Sequence, residues 1–223
     1  MKQTSNTAGP RCAGLPCSYY LEQYRAADPV RISNRLGIPF DLHTGRFRFT
    51  FFGKEYEASH PDLHIQCKSG KDPFSLDSSE AFRSLLLRWF LKASVFPAGG
   101  DFREIRDLPG GELWADRFAE QCIRRLTSRY GRVLQAFEAI MEDLDAIRVF
   151  GDDIAYEAEF LDGLFIRFQF RSGGPDREPA ARILFSDNFP AAFSACELEE
   201  IISLCMEAFD AADPLLAAAN PYR

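Results

Sequence analysis

The segment Arg106-Asp107-Leu108-Pro109-Gly110-Gly111, followed by Trp114, has the residue types in this sequence best suited to holding a ligand. Backbone N–H groups at the start of a helix can bind an anion, and glycines let a ligand approach the main chain closely. Arg106 and Trp114 flank the glycines and would supply a charge and a stacking face. The segment lacks the Lys-Ser/Thr of a P-loop and the G-x-G-x-x-G of a dinucleotide fold. Glu112 already complements the dipole of the helix that follows. A turn required by chain geometry therefore explains Gly110 and Gly111 with fewer assumptions than a ligand loop, with Arg106 capping a carbonyl and Trp114 simply packing.

Three other patterns carry possible chemistry. His60, His64 and Cys67 form an H-x3-H-x2-C string, which on a helix would share one face and resemble a metal site. Pro61-Asp62 reads instead as a turn, no fourth ligand lies nearby, and the expectation is incidental placement with no metal. Gly151-Asp152-Asp153 precedes a strand, so Asp152 could present a carboxylate at a sheet edge for acid–base or metal work. Turn chemistry accounts for Gly and Asp at that point equally well. Glu197 reads as a carboxylate in the first turn of a helix, where its default role is structural. The serines lie in no G-x-S-x-G elbow, the three histidines form no nucleophile–base pattern, and no cofactor is assigned by any motif.

The elements that would position these residues follow from periodicity. A short helix runs through Tyr20 and Tyr24. Asp28-Pro29 is an N-cap with proline at the first helical position, and Gly37 stops that second helix. Phe47, Phe49 and Phe51 alternate with Arg46, Arg48 and Thr50, and Gly53-Lys54 turns the strand into a hairpin through Tyr56 and Ala58. Asp77 is expected to cap a helix, with Glu80 at the capping-box position, over the apolar face Phe82, Leu85, Leu86, Trp89 and Phe90. Further helices carry Trp114, Phe118, Cys122, Leu126 and Tyr130, then Phe137, Ile140, Met141 and Leu144, the first of them ending at Gly131.

Strands return in the C-terminal third: Ile154 to Phe160, Ile166 to Phe170, and Arg182 to Phe185. A two-residue Asp-Gly loop between the first two would set Ala158 against Arg167, mixing core with solvent. A three-residue loop, Leu161-Asp162-Gly163, pairs Ala158 with Ile166, Tyr156 with Phe168 and Glu157 with Arg167, and puts Gly163 in the left-handed position. A last helix carries Leu198, Ile201, Ile202, Cys205 and Phe209, ended by Pro214. The fold class is therefore α+β: an antiparallel β-sheet with a central helical block packed against it and a C-terminal helix. Residues 16–210 form one domain, between a frayed start (1–15) and a loosely held tail (211–223).

At 223 residues, with 46% hydrophobic residues and 21 phenylalanines, the chain can bury a substantial core. A net charge of -7 argues against a nucleic-acid partner, since phosphate recognition needs clustered Lys and Arg. Residues 1–9 are polar and lack a signal-peptide core, and no apolar run approaches a membrane span. A cytoplasmic protein with no membrane partner is expected. Six dispersed cysteines argue against a disulfide framework, and Cys122 and Cys205 fall on apolar helix stripes as small buried hydrophobes.

The chain resembles a family of uncharacterised bacterial and archaeal proteins, domain of unknown function 3786. The resemblance rests on Phe52-Gly53-Lys54-Glu55-Tyr56, Arg106-Asp107-Leu108-Pro109-Gly110-Gly111, Trp114 with Phe118, Gly151-Asp152, Ile183-Leu184-Phe185 and Glu197, spanning about Gly37 to Cys205. It implies the extent of the domain and no activity. Some such proteins carry an iron–sulfur module with closely spaced cysteines; here Cys12 and Cys17 stand without that cluster, a departure that counts against an iron–sulfur role.

Three functions compete. The favoured one is a non-catalytic accessory protein that recognises a small molecule or a partner protein through the loops at 99–111. Its candidate contacts are Arg106, Gly110, Gly111, Trp114 and Asp152. The second is a carboxylate-using hydrolase or transferase, which requires Asp152, Glu197 and Arg106 to converge. The third is a redox or metal-associated accessory protein.

Overall fold

The computed structural model describes residues 15–70, 72–174 and 177–213. The frayed start and most of the tail expected above lie outside the described residues. The first helices are α1 (Cys17–Ala26) and α2 (Pro29–Leu36), the second capped by Asp28, whose Oδ1 accepts from the Val30 N–H at 2.9 Å. Gly37 ends α2 in the left-handed conformation at φ 71°. Strands β1 (Phe40–Asp41), β2 (Arg46–Phe51), β3 (Lys54–Ser59) and β4 (Ile65–Cys67) then form an antiparallel sheet in sequential order. The alternation read at Phe47, Phe49 and Phe51 sends all three into the core.

Helix α3 (Glu80–Lys92) covers that sheet, with Phe82 against Phe51 and Phe90 against Phe47. Its cap differs from expectation. Ser79 Oγ accepts from the Phe82 N–H at 3.3 Å, whereas Asp77 accepts from Ile65 N–H at 2.8 Å and pairs with Arg83. Either residue is a competent cap; the choice was made by β4, whose edge amide needed an acceptor.

A second sheet has the order β5-β9-β8-β7-β6, from β5 (Phe102–Arg103), β6 (Ile147–Arg148), β7 (Ile154–Leu161), β8 (Leu164–Arg171) and β9 (Ala180–Ser186). One face is covered by helices. These are α4 (Ala115–Phe118), a π-helical turn (Ala119–Ile123), α5 (Arg124–Tyr130), α6 (Leu134–Asp143) and α7 (Leu198–Ala212). Phe137 of α6 is fully buried among Tyr130, Tyr156, Phe168, Phe170 and Phe209, and Phe118 meets Phe185.

The β7–β8 pairing is the expected one: Ala158 with Ile166, Tyr156 with Phe168, Glu157 with Arg167. The loop is not. Leu161 pairs with Leu164 across a two-residue Asp162-Gly163 turn, and the residue needed to keep the register is placed in a bulge at Phe160. Gly163 is left-handed, at φ 70°. At the bulge the Glu159 carbonyl accepts the Phe52 N–H at 3.2 Å, so the first hairpin docks there. That hairpin turns through Phe52-Gly53, not Gly53-Lys54, with both residues at positive φ (43° and 68°) as a type I′ turn requires. A phenylalanine tolerates this because its ring is fully buried against Phe160 and Phe209.

Arg88, only 8% exposed, ties α3 to the start of α7 through Glu197 and Glu200. Cys67, Cys122 and Cys205 are buried free thiols, burial pushing the Cys122 thiol up to about 12. Cys196 is disulfide-bonded, a bond that the argument against a disulfide framework did not foresee.

Candidate functional site

The Pro-Gly-Gly loop is a pair of tight turns. A 3-10 turn at Ile105–Asp107 and another at Gly111–Leu113 are joined by the Gly111 N–H donating to Leu108 O at 2.8 Å. Gly110 is left-handed at φ 72°. Gly111 is buried, and a Cβ there would lie 1.6 Å from the Ile105 carbonyl oxygen. Chain geometry alone thus demands both glycines. Arg106 is exposed and reaches Asp116 at 3.3 Å; Trp114 is half-buried against the core.

Asp152 is exposed in the turn before β7. The loop leaves β5 at one edge of the second sheet, and β9 and β8 lie between β5 and β7. Arg106, Gly110, Gly111 and Trp114 are therefore together, and Asp152 is apart from them. Glu197 has a third location: its side chain completes a capping box with Ser194 and faces Arg88 Nε at 3.1 Å. In the metal-like string, His60 Nε2 sits 2.9 Å from Tyr24 O, His64 is exposed, and Cys67 is buried on β4. Among the described residues no group of three or more His, Cys, Asp or Glu is placed to hold a metal, and no helix is long and apolar enough to cross a membrane.

A concave site does form, at a place not singled out by sequence. A cleft of about 940 Å³ lies between the α5–α6 junction and the β8–β9 loop. Arg132, Val133, Leu134, Gln135 and Glu138 line one side; Ile154, Ser172, Arg177 and Pro179 line the other. The loop wall is tied down by Asp153, whose carboxylate accepts from the Ser172 N–H at 2.7 Å and from the Ser172 hydroxyl. Those two bonds, with Arg177 nearby, hold the Asp153 carboxyl below its ordinary range. Arg177 also donates to the Ser172 carbonyl, at 2.9 Å from its NH2 group. Gly131 makes the junction possible, since a Cβ there would come within 2.8 Å of Pro179. The sequence signal for this site was slight: a helix stop at Gly131 and a Gly/Pro/charge-rich loop some forty residues later, with nothing to say that they meet.

One further group has an unusual environment. Asp162, in the β7–β8 turn, accepts from the Thr50 N–H of the other sheet at 2.8 Å, and burial raises its carboxyl to about 6. It joins the sheets and lies outside the cleft lining.

No curated protein and no solved structure matches the chain. A family model matches residues 28–209, which cover both sheets, α2 to α6, most of α7 and the cleft. The chain belongs to the family described as Domain of unknown function (DUF3786).

Proposed function

We propose that this chain is a non-catalytic accessory protein that binds a small molecule in the cleft between the α5–α6 junction and the β8–β9 loop. The observation that carries this reading is the cleft itself. Its volume, about 940 Å³, falls within the several hundred to roughly 1,000 Å³ of small-molecule sites. Its walls mix the apolar surface of Val133, Leu134, Ile154 and Pro179 with donors from Arg132, Gln135 and Arg177, and acceptors from Glu138 and Glu178. That composition suits a ligand with an apolar body and polar groups of either sign. Asp152 stands two residues before Ile154 and would contribute to the rim.

Native mass spectrometry of the protein as purified, compared with its denatured mass, tests for a retained ligand. Gln135→Trp would fill the cleft from an exposed position and should abolish the adduct while leaving the fold intact. Loss on Arg106→Ala or Trp114→Phe, with retention on Gln135→Trp, would move the site to the Pro-Gly-Gly loop and refute the assignment.

A further inference from the structure

We propose that the outer edge of β6 pairs with an extended, basic segment of a partner protein. β6 ends the second sheet, and among the described residues its only strand partner is β7. The Val149 N–H donates to Ala155 O, so by the alternation of an antiparallel ladder Arg148 turns its backbone N–H and C=O outward. Such an edge is a template for a further strand, and proteins ordinarily blunt it with charge, proline or a covering element. At two residues β6 is itself short, another such device, yet apolar side chains lie exposed along its free edge. Ile147 is 65% exposed and Phe150, just past the strand, is fully exposed. The strand's one charge, Arg148, is already held by Glu138 at 2.8 Å.

Charge then selects the occupant. Glu142, Asp143, Asp145, Asp152 and Asp153 surround the edge in sequence, all exposed; Arg148 is the one basic residue of that stretch, and Lys54 and Arg177 reach Asp145 and Asp153 from elsewhere. Asp145 meets Lys54 at 3.7 Å and Asp153 holds Ser172, but Glu142, Asp143 and Asp152 have no ion pair among the described residues. A second copy of the chain would bring a second set of acids to the same edge and be repelled. A strand alternating Lys or Arg with apolar residues would cover Ile147 and Phe150 while satisfying the free carboxylates and the outward backbone groups of Arg148.

The experiment uses two fluorescent synthetic peptides, one alternating Lys with Val and one alternating Glu with Val, titrated into the full chain by anisotropy. Amide hydrogen exchange is followed in parallel. The expected result is binding of the Lys-Val peptide at least about tenfold tighter than the Glu-Val peptide. Exchange should slow at Arg148 and Phe150. The double variant Ile147→Lys, Phe150→Ser changes only exposed positions and should weaken binding by about tenfold or more, while Leu42→Ser, another exposed apolar position, leaves it unchanged. Equal binding of the two peptides overturns the proposal, as does protection elsewhere in the chain. Dimerisation abolished by the double variant also overturns it, because the occupant would then be a second copy.

Discussion

Replacing Asp162 by Asn should make this protein more stable at neutral pH and leave it nearly unchanged at pH 4. The carboxylate sits in the β7–β8 turn, accepting from Thr50 N–H of the other sheet with Glu159 as its charged neighbour, and burial raises its pKa from 3.8 to about 6. A raised folded-state pKa means that folding favours the protonated acid. That stability is fully present below pH 3.8 and is lost as pH rises to about 6, where the buried group must ionise. The difference corresponds to about 3 kcal/mol at 1.36 kcal/mol per pH unit. Allowing for the part of the side chain that still meets water reduces it to about 2 kcal/mol. Asn keeps an acceptor for the Thr50 N–H and never ionises. Chemical denaturation at intervals from pH 4 to pH 8 should therefore show the two proteins diverging, with Asp162→Asn ahead by about 2 kcal/mol above pH 7, or a rise in Tm of roughly 4–8 °C for a chain of this size. A stability difference that stays constant across the range would refute the desolvation argument, and so would an Asn variant that is weaker at pH 7.5 than at pH 4 relative to the parent.

Two further perturbations address contacts on which the fold depends. Gly111→Ala should lower stability by roughly 3 kcal/mol or more, because its Cβ would overlap the Ile105 carbonyl and the two 3-10 turns must separate; a loss under about 1 kcal/mol in urea denaturation would contradict the turn geometry. Arg88→Met should destabilise by about 3 kcal/mol through the stranding of Glu197 and Glu200. The additional change Glu197→Gln, Glu200→Gln should recover part of that loss, and a double-mutant cycle showing no coupling would count against the ion cluster.

How far the amino-acid pattern went can be seen in particular elements. Apolar alternation at Phe47, Phe49 and Phe51, and the helical spacing from Phe82 to Phe90, determined which faces are buried, because burial of large apolar side chains is a local pattern with a global reward. Asp28-Pro29 and Gly37 bounded α2 correctly, since cap chemistry is local. The β7–β8 register was equally legible, because a slip by one residue would put Arg167 in the core.

What tertiary structure decided was where local options of similar energy were resolved. Ser79 and Asp77 were both adequate caps until β4 claimed Asp77. The extra residue of the β7–β8 hairpin had two possible homes, and docking of the Phe52 N–H on the Glu159 carbonyl coincides with the one adopted. The short strands β5 and β6 were missed because two residues carry no period, and their pairing depends on strands far away in sequence. Site geometry was the least legible of all. The Pro-Gly-Gly loop offered by composition both a required turn, the preferred reading, and a ligand cradle, and the steric reason for each of its glycines accords with the turn. The cleft joins Arg132 to Arg177 across forty-five positions, and only packing of the α5–α6 junction against the β8–β9 loop brings them to one wall-to-wall space. Local chemistry determined the elements of this protein; long-range contact determined which of its polar side chains face a common opening.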